Sequence, residues 1–274
     1  MRNILFIFLL LSAGVAFSQE DNIAGKSMFT IQGTIATGSI SSFSVDNLGN
    51  LYVLSSAGFL KKMNAKGDSL NVFNDVRRFG GISLMDVTNP LKILLYYRDF
   101  STILMLDRFL NQLNTIDLRK AGIFQAKAVG LSYDNNIWVY DEQAAKLKKI
   151  DEEGKVIMET TDLRQVLTVM PSPDRLIDRD GFVYLYDATN GLYVFDYYGM
   201  LKNELPLTGV DDLQVIGNTI VGSKKGNFIR YTLGSMQIQE LALPDFIRKS
   251  ELKIISPSGI YIYDDRKISK YTYQ

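Results

Sequence analysis

The chain is written in short apolar runs separated by turn-forming clusters. In DNLGNLYVLSSAGFLKKMNAKGD (46–68) a turn leads into LYVL, a second turn into FLKKM, and a third turn ends the phrase. Runs this short, bounded by Gly, Asn, Asp or Ser and rich in aromatic and branched residues, predict strands rather than helices. The phrase returns along the chain. Its first run is matched by ILLYY (93–97), IWVYD (137–141), VYLYD (183–187), TIVGS (219–223) and IYIYD (260–264). A common position runs through Tyr52, Leu94, Trp138, Tyr184, Ile220 and Tyr261, in steps of 42, 44, 46, 36 and 41 residues.

The flanking pattern recurs with it. Each of these runs follows a turn: DNLGN, TNP, DNN, DRDG, IGN or SPSG. Gly and Asn accept positive φ, while Pro and Asp initiate turns. Each is followed by a further run, such as TILMLD, KLKKID or GLYVFD, and several by a fourth, such as LNTIDL or KNELPL. Four strands in about 43 residues is the size of a propeller blade. The last unit stops at Gln274 after its third run, whereas SMFTIQGTI (27–35) stands spare ahead of the first full unit. The pattern therefore predicts an all-β, six-bladed β-propeller with four antiparallel strands per blade, the last blade closed by the N-terminal strand. Closure of that kind removes an exposed edge. An open solenoid would not need the spare strand, and a sandwich would not need six equal units. Limited helix is expected at DLRQVL (162–167) and DFIRKS (245–250).

Three of the units, DNLGNLYVLSSAGFLKKMNAKGDSL, DNNIWVYDEQAAKLKKIDEEGKVI and DRDGFVYLYDATNGLYVFDYYGML, resemble NHL-type six-bladed propeller repeats. In those repeats a D-x-x-G-N-x-Y-V turn and strand precede an apolar strand and a D-x-x-G turn. The Asn-His-Arg segment of typical NHL units is absent. The resemblance covers nearly all of residues 27–274. It implies the fold and only a weak prior on activity, because the family includes lyases, hydrolases and binding scaffolds.

The N-terminus reads differently. MRNILFIFLLLSAGVAFSQE has Arg2, an apolar stretch from Ile4 to Leu11, and a small-x-small site at Ala16-Phe17-Ser18. These are the marks of a cleaved export signal over residues 1–18. The apolar stretch is short of the roughly 20 residues that span a bilayer. The remaining domain, 19–274, is expected in the periplasm or outside the cell, as a monomer without a membrane span. The chain has no Cys, so it is not expected to be a lipoprotein.

Composition narrows the chemistry. The 274 residues carry 30 basic and 30 acidic side chains, which gives nothing for a nucleic acid to grip. Without Cys or His, thiolate nucleophiles and Ser-His pairs are excluded, along with the usual zinc ligands. Ser250-Glu251-Leu252-Lys253 has an S-x-x-K spacing with no companion motif. DRDG (178–181) places Gly181 too early for an EF-hand.

In a propeller, loops from the second to the third strand share one face with the connections between blades. That face is expected to offer Arg98, Asp99, Lys127, Asp141, Arg175, Asp187, Asp264 and Arg266, with room for Phe100 and Phe124. The recurrent rings Tyr52, Trp138, Tyr140, Tyr184, Tyr186, Tyr261 and Tyr263 are expected to pack between blades instead. The function read from this is a non-catalytic scaffold binding another envelope or secreted protein, or a small polar ligand, with no cofactor. The alternative is a metal-dependent hydrolase or lactonase. There Asp141, Asp187 and Asp264, equivalent in three units, would hold a divalent cation such as calcium at the channel mouth. A sugar-binding module, which needs exposed Trp platforms, ranks last, since Trp138 lies within a strand.

Overall fold

A computed structural model describes residues 29–74, 76–235 and 237–273. The expected export signal lies outside these residues. Strand β1 (Phe29–Ala36) comes first, and four strands then build each blade in turn. Blade 1 is β2 (Ile40–Val45), β3 (Leu51–Ser55), β4 (Leu60–Met63) and β5 (Ser69–Phe73). Blade 2 is β6 (Leu84–Asn89), β7 (Lys92–Tyr97), β8 (Thr102–Asp107) and β9 (Gln112–Asp117). Blade 3 is β10 (Ala126–Leu131), β11 (Ile137–Asp141), β12 (Lys146–Ile150) and β13 (Val156–Glu159). Blade 4 is β14 (Arg175–Arg179), β15 (Phe182–Asp187), β16 (Gly191–Asp196) and β17 (Leu201–Leu205). Blade 5 is β18 (Asp211–Ile216), β19 (Thr219–Lys224), β20 (Asn227–Thr232) and β21 (Gln237–Ala242). Blade 6 is β22 (Leu252–Ser256), β23 (Gly259–Asp264) and β24 (Lys267–Tyr273), closed by β1.

The closing strand pairs antiparallel with β24 from Phe29↔Tyr273 to Ala36↔Lys267, with one irregularity between Ile31 and Gly33. Phe29 is buried against blade 5, and Ile35 packs towards blade 1. The strand therefore ties its blade to both neighbours. Helix is sparse: a 3-10 turn at Leu163–Gln165 and one α-helical turn, α1 (Asp245–Arg248), fall where they are expected, and further 3-10 turns lie at Val76–Phe79, Arg98–Phe100 and Leu118–Ala121.

The turns between third and fourth strands show why the repeats are spelled as they are. Asn64, Asp107, Asp151 and Asp196 each accept backbone N–H groups two and four residues later. Such a side chain stands in for a backbone turn. The residue three positions on must take positive φ: Gly67, Gly154 and Gly199 do so, and Leu110 follows at 62°. A side chain there costs on the order of 1–2 kcal/mol relative to glycine.

Six apolar clusters fill the six gaps between neighbouring blades. Tyr52, Trp138, Tyr140, Tyr184, Tyr186, Tyr261 and Tyr263 are all buried there, as their recurrence predicts. Burying such a ring contributes roughly 2–3 kcal/mol. Several also reach backbone at the start of the next blade. The hydroxyls of Tyr96, Tyr140 and Tyr263 donate to the carbonyls of Ala126, Pro171 and Gly38, and Tyr186 accepts from the Val210 N–H. Blade 5 has Gly222 at this position. A Cβ there would lie 2.2 Å from Val210 Cγ1, so the connection takes the space the tyrosine holds elsewhere.

Candidate functional site

The front face carries the loops after the second strands and the connections between blades. The back face carries the remaining turns. On the front, blades 2 and 3 form one continuous sector. Arg98 opens a 3-10 turn (Arg98–Phe100), and its Nη2 donates to the Lys127 carbonyl at 3.1 Å. Its backbone N–H donates to Ser83 Oγ, and the Leu118 N–H to the Ser101 carbonyl. These bonds fix two loops side by side. Phe100 is 47% exposed and Phe124 61%. Arg98 and Asp99 are also exposed.

The other expected residues divide by environment. Asp141 is buried and ion-paired to Lys148 at 2.7 Å, with the Ala144 N–H as a second donor. Asp187 is buried and accepts four bonds, from the backbone N–H groups of Ser172, Thr189 and Asn190 and from Asn190 Nδ2. Burial pushes the Asp187 pKa up, but these donors outweigh it and hold the carboxyl below its ordinary range. Asp264 and Arg266 are exposed, and the Arg266 carbonyl accepts the Thr37 N–H beside the closing strand. Sequence equivalence therefore does not bring Asp141, Asp187 and Asp264 together. Among the described residues no group of three or more acidic side chains is placed to hold a metal ion. The Ser250 hydroxyl of the S-x-x-K spacing donates to the Ile247 carbonyl and ends α1.

A central channel runs down the ring axis, lined by residues of all six innermost strands and holding about 170 Å³. Arg175 and Asp212 line its front end, and Arg175 Nη1 donates to the Leu213 carbonyl at 2.8 Å. Asp212 sits at positive φ in a bulge of β18. Burial raises its pKa against the pull of Arg175 and Lys253. Arg179 lines the back end. Sequence reasoning passed over Arg179 and assigned Lys253 only to a chance motif. One signal was present: the other innermost strands end in uncharged Val45, Asn89, Leu131, Ile216 and Ser256.

No family model matches the chain, and no curated protein matches it in sequence. Solved structures match its shape. A streptogramin B lyase superposes with a TM-score of 0.58 at 17% identity, over 85% of this chain and 78% of that one. A catalytically inactive histidine-to-alanine variant of virginiamycin B lyase from Staphylococcus aureus, solved with quinupristin, gives 0.58 at 13% identity, over 90% and 100%. The Pan2 WD40 domain of Neurospora crassa gives 0.58 at 14% identity, over 90% and 85%. The class these likenesses define is the β-propeller. At such identities they carry the fold alone.

Proposed function

We propose that this protein is an exported, non-catalytic propeller of NHL-like repeats that binds another envelope or secreted protein on the front face of blades 2 and 3. The observation that carries this reading is the pairing of exposed Phe100 and Phe124 with Arg98 and Asp99 on loops held by the Arg98 side chain's bond to the Lys127 carbonyl and the backbone bond from Leu118 to Ser101. Among the described residues neither charge is engaged in an ion pair. Aromatic and Arg side chains on a pre-organised surface are the usual anchors of protein interfaces. A lyase reading has less to stand on. The virginiamycin B lyase variant is inactive with one histidine replaced, and this chain has no histidine.

Immobilised protein should capture a partner from envelope extract. The double variant Phe100→Asp, Phe124→Asp should weaken that binding by at least about thirtyfold, the loss of one or two anchors. Its melting temperature should stay within about 2 °C of the parent, as for surface changes generally. Equal capture by parent and variant would refute the assignment of this face.

A further inference from the structure

The closing strand breaks the repeat at one place. Along the third strands, Lys62, Met105, Lys149, Val194, Tyr231 and Lys270 hold one equivalent position, each paired with the recurrent second-strand position. Their fourth-strand partners are Asn71, Asn114, Met158, Asn203 and Ile238 in blades 1 to 5, but Gly33 in blade 6. Side chains directly opposite in an antiparallel pair share a face. In two gaps that side chain fills the space before the next blade. Asn114 Nδ2 donates to the Glu152 carbonyl in the outer turn of blade 3. Met158 Cε comes within 3.1 Å of the place a Cβ on Gly199 would take in the outer turn of blade 4. A Cβ on Gly33 would meet nothing within 4 Å.

The result is a cleft of about 300 Å³ between blade 6 and the turns of blade 1 that carry Gly49 and Ala65. Leu51, Tyr261 and Ile268 give it a buried, largely apolar floor. Its charged lining residues are two lysines, exposed Lys66 and half-buried Lys270, and no carboxylate lines it. Asp46, in the Gly49 turn, accepts from the Tyr52 hydroxyl and attracts Lys62, while Asp68 is exposed outside the lining. The lysines equivalent to Lys270 are engaged. Lys62 Nζ donates to the Arg108 carbonyl at 2.9 Å, and Lys149 Nζ pairs with Asp134 at 2.5 Å. Lys270 Nζ lies 5.5 Å from the centre of the Tyr261 ring, with no hydrogen-bond acceptor or acid paired to it among the described residues. A cation beside a low-dielectric floor attracts an anion more strongly than one in open water, and the floor favours an apolar body on that anion.

We infer that this cleft binds a small organic carboxylate, its apolar body on Leu51, Tyr261 and Ile268 and its charge at Lys270 and Lys66. The site is separate from the front face of blades 2 and 3, and its failure would leave that reading standing.

Ligand-observed NMR titration of the purified full chain tests it, with benzoate and hexanoate as probes at constant ionic strength. Saturable binding is expected for at least one of them, with a Kd below about 1 mM. The amide of the same body, benzamide or hexanamide, should bind at least about tenfold more weakly, the scale of one charge-assisted hydrogen bond. Lys270→Gln should bring the carboxylate down to the affinity of its amide and leave the amide unchanged. Gly33→Leu, which the open space above Gly33 accommodates, should fill the cleft and abolish binding of both. Lys155→Gln, on an exposed turn of blade 3, should bind as the parent does. Absence of saturable carboxylate binding to the parent overturns the proposal. So does an amide that binds as tightly as its acid, or parent-like carboxylate affinity in Lys270→Gln or in Gly33→Leu. The two variants test charge and space separately, and either decides alone if the other does not fold.

Discussion

Replacing Asp178 with alanine should loosen the joint between blades 3 and 4, and the protein carries its own reporter there. Asp178 is the penultimate residue of β14 and takes four hydrogen bonds, three of them from the turn and strand of blade 3 at Ser132, Tyr133 and Trp138. The fourth comes from Tyr197 of its own blade. Lys149 Nζ sits 5.1 Å from the Tyr133 ring centre and 4.9 Å from that of Trp138, which places a cation beside the same cluster. On removal of the carboxylate, Tyr133 is exposed and its N–H can hydrate, whereas the Ser132 hydroxyl is buried and must find another acceptor. Trp138 is fully buried, so its indole N–H is stranded. A stranded buried donor costs about 1–3 kcal/mol, and hydrogen bonds to a charged acceptor are worth about 1.5–3 kcal/mol each before rehydration. A loss of about 2–4 kcal/mol follows, or about 5–15 °C in melting temperature for a protein of this size. Trp138 is the only tryptophan in the chain, so its fluorescence during urea unfolding reads the local and global change together. Burial and the Asp178 bond both raise the Tyr197 hydroxyl pKa, and in the variant its alkaline titration should move down. A stability loss below about 0.5 kcal/mol, the scale of an ordinary surface change, would show that the carboxylate is a surface contact and refute the reasoning.

Two further outcomes follow from the same structure. Asp187 is held below its ordinary pKa of 3.8 by N–H donors that exceed the effect of burial. Its contribution is therefore complete above that value and lost as pH falls through the lower folded value. Asp187→Asn should be less stable than the parent at pH 7, and the gap should close below about pH 4, as read by thermal melts. A gap unchanged down to pH 2 would contradict the sign. Phe29→Ala removes the buried anchor of the closing strand and should cost about 3–5 kcal/mol. Amide exchange should rise in β24, which would lose the firm pairing of its outer edge. Protection in β24 equal to the parent would show that closure does not depend on this anchor.

Much of this protein was legible before folding because its order is local and repeated. Strand length, the Asp or Asn that opens the outer turns of the first four blades, the glycine three residues later in three of them and the near-regular spacing of Tyr52, Trp138, Tyr184 and Tyr261 are all written within single units. They specify a blade, and the incomplete last unit with its spare N-terminal strand specifies a ring. The candidate site was less legible, because a side chain's availability depends on donors supplied from other parts of the sheet or from other blades. Asp141, Asp187 and Asp264 look alike in sequence. The first is ion-paired to Lys148, the second has its hydrogen-bonding capacity taken up by the Ser172 connection and its own loop, and the third stays exposed. Asp178 and Arg179 are chain neighbours, and adjacent strand residues point to opposite faces. One is drawn into the joint with blade 3, and the other is left without that carboxylate. The repeats thus determined the ring by short-range geometry. Only the assembled blades decided which charges are spent within it and which face the channel, because electrostatic partnership depends on distance in space rather than along the chain.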